Sequence, residues 1–315
     1  PTMVGALGSS AAALLAPIAL RLAERCSLDR RMIGLMVLHG SACGNFSPLN
    51  ALGVIVLQGA ARLGVETSAS ALFLANVAYN VVLGAIIFLW FGGLRLGDRP
   101  PDRAEEGIRS VVRERPGWDQ RCTLAALLAV LVLALAYGLS VGFLALIAAV
   151  ALHLIFPSSS SGAERKIAWD VVLLVCGIVT YVAALQRYGT VNAIGAAIAA
   201  LDAPLVSALL ICVVGAVASA FASSAGILGV MMVLAAPFMI QGEVSVVGFV
   251  IALAISATVV DSSPFSTAGA LVVANAVEAE RQYVYRGLLA WGAVMAVTAP
   301  LATWLLFVVI TSASR

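Results

Sequence analysis

Two short polar segments, far apart in the chain, hold the residue types that could do chemistry. Asn45-Phe46-Ser47-Pro48-Leu49-Asn50-Ala51-Leu52-Gly53 aligns with Asp261-Ser262-Ser263-Pro264-Phe265-Ser266-Thr267-Ala268-Gly269 at an offset of 216. Ser, Pro and Gly coincide, and the first and sixth positions are polar in both copies. Proline lacks an N–H and crowds the preceding turn, so a helix stops before Pro48 and before Pro264. Unwinding frees carbonyls at the C-terminus of one half-helix and N–H groups at the N-terminus of the next. Carbonyls joined by serine, threonine and asparagine oxygens make a cage for a hard cation. N–H groups at the positive end of a helix dipole attract a carboxylate. Small residues also serve merely to kink and pack membrane helices, but a matched pair of breaks in the same order argues for a shared task.

A second pair lies upstream of each copy, where Ser9-Ser10-Ala11 matches Ser223-Ser224-Ala225 at an offset of 214. Each copy therefore reads as a double-serine break, a half-helix, a loop, a half-helix, the Ser-Pro break and another half-helix. Asn45, Ser47, Asp261, Ser263 and Ser266 are the candidate cation ligands. Ser9, Ser10, Ser223, Ser224, Asn50 and Thr267 are the candidate substrate contacts. Asp261 follows a wholly uncharged run, Val246–Val260. A carboxylate at such depth costs about 2.5–3.5 kcal/mol on insertion scales, so it is expected to work as a cation ligand or proton acceptor. Its alternative use is as the N-cap of the half-helix beginning near Pro264. Asn76 and Asn80, at i and i+4, read as glue between helices, and His39 as a satisfied packing histidine. Asp170 and Asp202 sit near segment ends and read as interfacial.

The elements that position these residues follow from composition. Of 315 residues 62% are hydrophobic and 11% charged, with a mean hydropathy of +1.06. A soluble chain carries about twice that charge. Thirteen of the 34 charges fall between Arg95 and Arg121, leaving long stretches with none. This excludes a nucleic-acid binder, a disordered tail and a secreted disulfide scaffold, and predicts an all-α polytopic membrane protein. The five cysteines are dispersed and the two histidines too few for a histidine-rich metal site; no cofactor and no metal beyond sodium is expected.

A spanning helix needs about 20 apolar residues. Leu72–Phe91, Leu124–Tyr137, Val141–Phe156, Ile167–Leu185 and Leu288–Ile310 are the full-length candidates. Ala11–Leu20, Met32–Gly44, Ala51–Ala61, Pro204–Ala222, Ala225–Ile240, Val246–Val260 and Ala268–Val277 read as half-helices, tolerated at membrane depth only where backbone is buried in protein or lines a cavity. With the loop Arg95–Arg121 on the cytoplasmic side, one threading places 15 of the 18 basic residues there. In that threading Asn192–Ile240 dips in and returns, and the two broken helices run in opposite directions. The copies are then inverted repeats, the architecture of many secondary transporters.

At His39-Gly40-Ser41-Ala42-Cys43-Gly44-Asn45-Phe46-Ser47-Pro48 and at residues 261–275 the chain resembles the ion transporter superfamily, and within it the MatC-type malonate/dicarboxylate carriers related to divalent-anion/sodium symporters. The resemblance extends loosely over the whole chain. It implies re-entrant hairpins with tips at Ser9-Ser10-Ala11 and Ser223-Ser224-Ala225, and broken-helix loops at Ser47-Pro48-Leu49-Asn50 and Ser263-Pro264-Phe265-Ser266. Neither tip reads Ser-Asn-Thr, and only the first loop keeps its Asn. The resemblance further implies a small dicarboxylate held between the tips, sodium or a proton as coupling ion, a homodimer, and a multi-pass location in a bacterial inner membrane.

Residues 1–92 then form the C-terminal part of the first repeat, 93–120 a charged cytoplasmic loop, and 121–315 the second repeat. The second repeat begins at Arg121 and reaches its Ser-Pro break only at Ser263, whereas the first reaches Ser47 close to the start of the chain. The chain thus reads as a fragment of a longer carrier and is not expected to transport alone. The expected function is cation-coupled symport of a malonate- or succinate-like dicarboxylate. The alternatives are a sodium/proton antiporter or an oxyanion efflux permease of the same superfamily. An intramembrane aspartyl protease needs two facing carboxylates, and Asp261 has no evident partner, so no enzyme is expected. A passive membrane subunit would have no use for matched inverted repeats.

Overall fold

The computed structural model describes residues 2–26, 28–62, 64–93, 117–137, 141–159, 161–162, 203–221, 224–235 and 244–313, with isolated positions between 169 and 193. Ser223, Asp170 and Asp202 lie outside the described residues, as do most of the predicted span Ile167–Leu185 and of the loop Arg95–Arg121. In chain order the helices are α1 (Gly8–Arg25), α2 (Arg30–Ala42), α3 (Ala51–Arg62), α4 (Ala69–Trp90), α5 (Trp118–Tyr137), α6 (Val141–Ile155), α7 (Pro204–Phe221), α8 (Ser224–Leu234), α9 (Val246–Val259), α10 (Thr267–Ala274), α11 (Glu278–Thr303) and α12 (Ile310–Ala313). A π-helical stretch, Trp304–Val309, joins the last two. No strand occurs among the described residues.

Two compact units form, one from Pro1–Pro100 with Leu173–Arg315 and one from Pro101–Val172. The second contains α5 and α6, whose large apolar side chains, among them Leu124, Leu128, Phe143 and Ile147, are exposed. The first contains both Ser-Pro breaks. By length and composition, Ala69–Trp90, Val246–Ala274 and Glu278–Ser312 are long and apolar enough to cross a membrane.

Local chemistry sets the helix starts. Asp29 caps α2, its side chain accepting from the Arg31 N–H at 2.8 Å. Ser68 caps α4, accepting from Ala71, and Ser245 caps α9, accepting from Gly248. Each supplies an acceptor to an N–H that the helix cannot satisfy. The starts also repeat. Gly8 and Ser224, Arg30 and Val246, Ala51 and Thr267 open corresponding helices, and each pair keeps the offset of 216.

Packing repeats with the sequence. α1 lies on α2 as α8 lies on α9, and α2 on α4 as α9 on α11. Between the copies, α1 packs on α10 and α8 on α3, while α2 meets α11 and α9 meets α4. Every one of these contacts has its exchanged counterpart, which is what a two-fold relation between copies requires. One apolar core holds Ala12, Ala16 and Leu20 of α1 with Met32, Leu35 and Leu38 of α2, Ala268 and Val272 of α10, and Val284 and Leu288 of α11. α9 is apolar all round and so has no face for solvent or lipid. The span Val246–Ala274, which begins with α9, is 83% buried over its apolar stretch, against 28% for Ala69–Trp90 and Glu278–Ser312.

A charged cluster closes one end of this core. Arg31 bonds Asp29 with its guanidinium and stacks over Phe91 at 5.0 Å and Tyr283 at 4.1 Å. Arg30 pairs with Glu280 of α11. Burial resists ionisation of Asp29, but the Arg31 side-chain and backbone bonds outweigh it and hold the carboxyl below its usual range.

Candidate functional site

Both Ser-Pro segments fold into the same turn, bond for bond. Ser47 N donates to Gly44 O at 3.1 Å, and Ser263 N to Val260 O at 2.9 Å. Leu49 N donates to Ser47 Oγ at 3.2 Å, and Phe265 N to Ser263 Oγ at 3.3 Å. Asn50 N donates to Ser47 O and Ser266 N to Ser263 O; Val54 N donates to Asn50 O and Ala270 N to Ser266 O. The repeated glycine explains why the turn can close. A Cβ on Gly53 would stand 2.5 Å from Ser47 O, and one on Gly269 would run into Ser263 O. Both obstacles are backbone, which cannot step aside.

The sixth position caps the second half-helix in each copy. Asn50 Oδ1 accepts from Leu52 N and Ser266 Oγ from Gly269 N, each at 3.0 Å. The cap of α10 is therefore Ser266, and the alternative use of Asp261 as that cap is corrected. A cap must reach the N–H groups two or three residues on, and Asp261 sits earlier, in the 3-10 turn Val260–Ser262 that ends α9.

Asp261 meets the start of α8 instead. Ser224 Oγ, on the first residue of α8, lies 2.5 Å from both carboxylate oxygens and donates to the carboxylate. Ser219 Oγ in turn donates to Ser224 Oγ at 3.2 Å. Ser266 Oγ donates to the Asp261 main-chain carbonyl at 2.5 Å and to Ser263 O at 2.9 Å. Among the described residues neither ion pair involves Asp261, so hydroxyls rather than a basic side chain face its carboxyl group.

At the first break the corresponding position is Asn45, which is buried. Its Oδ1 has no hydrogen-bond partner. Gly8, the counterpart of Ser224 at the offset of the breaks, faces it, and a Cβ there would lie 3.5 Å from that oxygen. The starts of α1 and α8 thus pair at 216, like the breaks, rather than at the 214 of the double serines. The N-terminus of α1 carries no side-chain cap, so its first-turn amides are open to an anion.

The other candidates divide. Ser47 Oγ donates to Met3 O at 2.7 Å, and Asn50 Nδ2 to Thr2 O at 3.0 Å and Ala6 O at 2.9 Å. Both fasten the segment entering α1 to the first break. Ser263 is buried, with Gly292 of α11 so close that a Cβ there would lie 2.9 Å from Ser263 Cβ. Ser9 is half-buried, while Ser10 and Thr267 are exposed. Ser223 lies outside the described residues. The structure therefore gathers Asp261, Ser224, Ser263 and Ser266 at one break, and Asn45, Ser47 and Asn50 at the other.

No group of three His, Cys, Asp or Glu suited to a metal occurs among the described residues. The donors at the breaks are carbonyl, amide, hydroxyl and carboxylate oxygens, a ligand set for sodium or another hard cation. His39 is the satisfied packing histidine and Asn76 and Asn80 the helix glue that the sequence predicts; the Trp291 partner is what escaped it. His39 is satisfied at both ring nitrogens, by Trp291 at 2.9 Å and by Asn80 at 3.0 Å, and Asn80 and Asn76 continue the chain of bonds. The i, i+4 spacing of the two asparagines was the signal for this glue; Trp291 carried none.

The family model described as citrate transporter, CitMHS, matches residues 2–255. No curated protein matches the chain, and no solved structure does. The match names citrate, not the malonate carriers that residues 39–48 and 261–275 resemble. It spans both tips, the first break and most of α9. With its apolar spanning helices and a match over most of its length, the chain belongs to the CitMHS citrate transporter family, multi-pass membrane proteins that are transporters and not enzymes.

Proposed function

We propose that the protein is a secondary active symporter that moves a small anion bearing two or three carboxylates together with a coupling cation. The observation that carries this reading is the Asp261 carboxyl group, set in the break of the most buried of the three candidate spans and faced by the Ser224 hydroxyl at the start of α8. An intramembrane acid without a basic partner gains most from a cation that arrives and leaves. Substrate carboxylates bind at the tips, where the uncapped α1 amides and Ser9 meet an anion and the cation offsets its charge. Citrate, malonate and succinate are the substrates this chemistry accommodates. The two copies are read as inverted in the membrane, on the strength of the basic-residue distribution. A bacterial inner membrane is the expected location, with a homodimer as the working assembly.

The test is uptake of labelled citrate, malonate and succinate by proteoliposomes of the protein in its full natural length, under sodium, proton or no gradient. Gradient-driven uptake of at least one carboxylate is expected. Failure of all three under every gradient overturns the reading. Proton flux that ignores added carboxylate would establish the antiporter alternative.

A further inference from the structure

The hydrogen bonds around His39 form a one-way chain whose direction is dictated from both ends. The Trp291 indole can only donate, so His39 Nε2 accepts at 2.9 Å. The neutral ring then carries its proton on Nδ1 and donates to Asn80 Oδ1 at 3.0 Å. Asn80, its oxygen engaged, offers Nδ2 to Asn76 Oδ1 at 3.0 Å. Asn76 is left with its own Nδ2, which donates to the carbonyls of Ala42 at 2.8 Å and Cys43 at 3.0 Å. Those carbonyls end α2 at the first break. His39, Asn76 and Asn80 are buried, so no water competes freely for these groups.

The second copy lacks this chain. At offset 216 the places of His39, Asn76 and Asn80 are taken by Ile255, Gly292 and Ala296. Val259, which corresponds to Cys43, has its carbonyl satisfied by the nearby Ser262 Oγ at 2.8 Å. At the second break this carbonyl is thus bonded from within its own segment. The first is held from α4 and, through Trp291, from α11 of the other copy.

We propose that His39 and Trp291 are positioning residues of the first break: their bond chain aims the Ala42 and Cys43 carbonyls and sets the ligand affinity of that break from α11. The inference rests on the reading of the break as a ligand site, and its test includes a measurement independent of transport. In a chain keeping only Cys43 and Cys212 of its five cysteines, alkylation rates report the opening of each copy. Cys43 lies at the end of α2, and Cys212 is buried in α7. His39→Leu and Trp291→Phe, the latter preserving the aromatic packing, are expected to raise the Cys43 rate roughly tenfold, because a buried donor or acceptor loses its partner. Cys212 should not change. His39→Gln should restore the wild-type rate, since its amide accepts from the indole and donates to Asn80. In transport, the leucine and phenylalanine variants should raise substrate KM roughly tenfold with maximal rate nearly intact.

An unchanged Cys43 rate in both variants would overturn the proposal, as would a parallel rise at Cys212 or a glutamine variant no better than leucine. A wild-type protein that carries no carboxylate would sink the functional reading, and the Cys43 measurement would still decide the role of the chain.

Discussion

Asn45 and Asp261 occupy the same point of the same local fold, yet Ser224 Oγ reaches Asp261 at 2.5 Å while nothing reaches Asn45 Oδ1. In the place of Ser224 stands Gly8, which has no side chain to offer. The two breaks are one backbone device with two chemistries, one a carboxyl group bonded by a hydroxyl, the other an amide with an open oxygen. Under the proposed function the two places differ in what they offer a coupling cation. A cation at Asp261 neutralises a carboxylate, whereas one at Asn45 adds charge that the substrate anion must balance.

The carboxyl at the second break should therefore separate function from stability. Asp261→Asn is expected to abolish gradient-driven uptake and to stabilise the fold by up to about 2 kcal/mol, because a buried ionisable group gives way to a neutral one. Ser224→Ala should act oppositely on stability, costing on the order of 1–3 kcal/mol by stripping a donor from an intramembrane carboxylate. Thermal melts in detergent beside uptake assays check both. Intact uptake in Asp261→Asn would remove Asp261 from the coupling site.

The turn itself should tolerate no side chain at its glycines. Gly53→Ala and Gly269→Ala drive a methyl into the Ser47 and Ser263 carbonyls and should each cost about 1–3 kcal/mol through forced backbone shifts. Gly40→Ala is the control, because nothing lies within 4 Å of its Cβ position. There the helix should hold or gain up to about 1 kcal/mol. Equal melting temperatures for all three would show that the two turns are not closed as described.

Helix positions were legible because Ser, Pro and charged residues interrupt the apolar runs abruptly. Met32–Gly44 became Arg30–Ala42, and Val246–Val260 became Val246–Val259. The roles of Ser47 and Asn50 were not legible, since their partners are main-chain carbonyls of Thr2, Met3 and Ala6, which leave no trace in side-chain type. Gly8 was invisible for a similar reason. Pairing by residue type drew Ser9 to Ser223, whereas contact with Asn45 pairs Gly8 with Ser224. The His39–Trp291 bond joins positions at opposite ends of the chain, and no periodicity connects them.

The charged cluster at the start of α2 makes a pH prediction. The folded Asp29 carboxyl lies below its usual range, so the unfolded chain takes up a proton at higher pH than the folded one. Its stabilising contribution is complete above the ordinary carboxylate value and is lost as pH falls through the lower folded value. Asp29→Ala should cost about 1 kcal/mol at neutral pH through loss of the α2 cap. Its melting temperature should fall less steeply than that of wild type under acid. Parallel curves from neutral pH down through the carboxylate range would show that Asp29 contributes nothing through ionisation.

The sharpest test of the two-copy reading is to build the second copy's chemistry into the first. Gly8→Ser places a Cβ 3.5 Å from Asn45 Oδ1, an ordinary contact, and gives its hydroxyl an acceptor that is otherwise unpaired. One new buried hydrogen bond should stabilise the cation-free protein by about 1 kcal/mol. Gly8→Ala fills the same space without a donor and should not reproduce that gain. In uptake assays the serine hydroxyl competes with a cation for the Asn45 oxygen, so the half-saturating concentration of the coupling ion should rise roughly fivefold, the equivalent of about 1 kcal/mol. A serine variant that melts and transports like the alanine variant would show that the Asn45 oxygen does not face Gly8, and that the correspondence between the two breaks ends at the backbone.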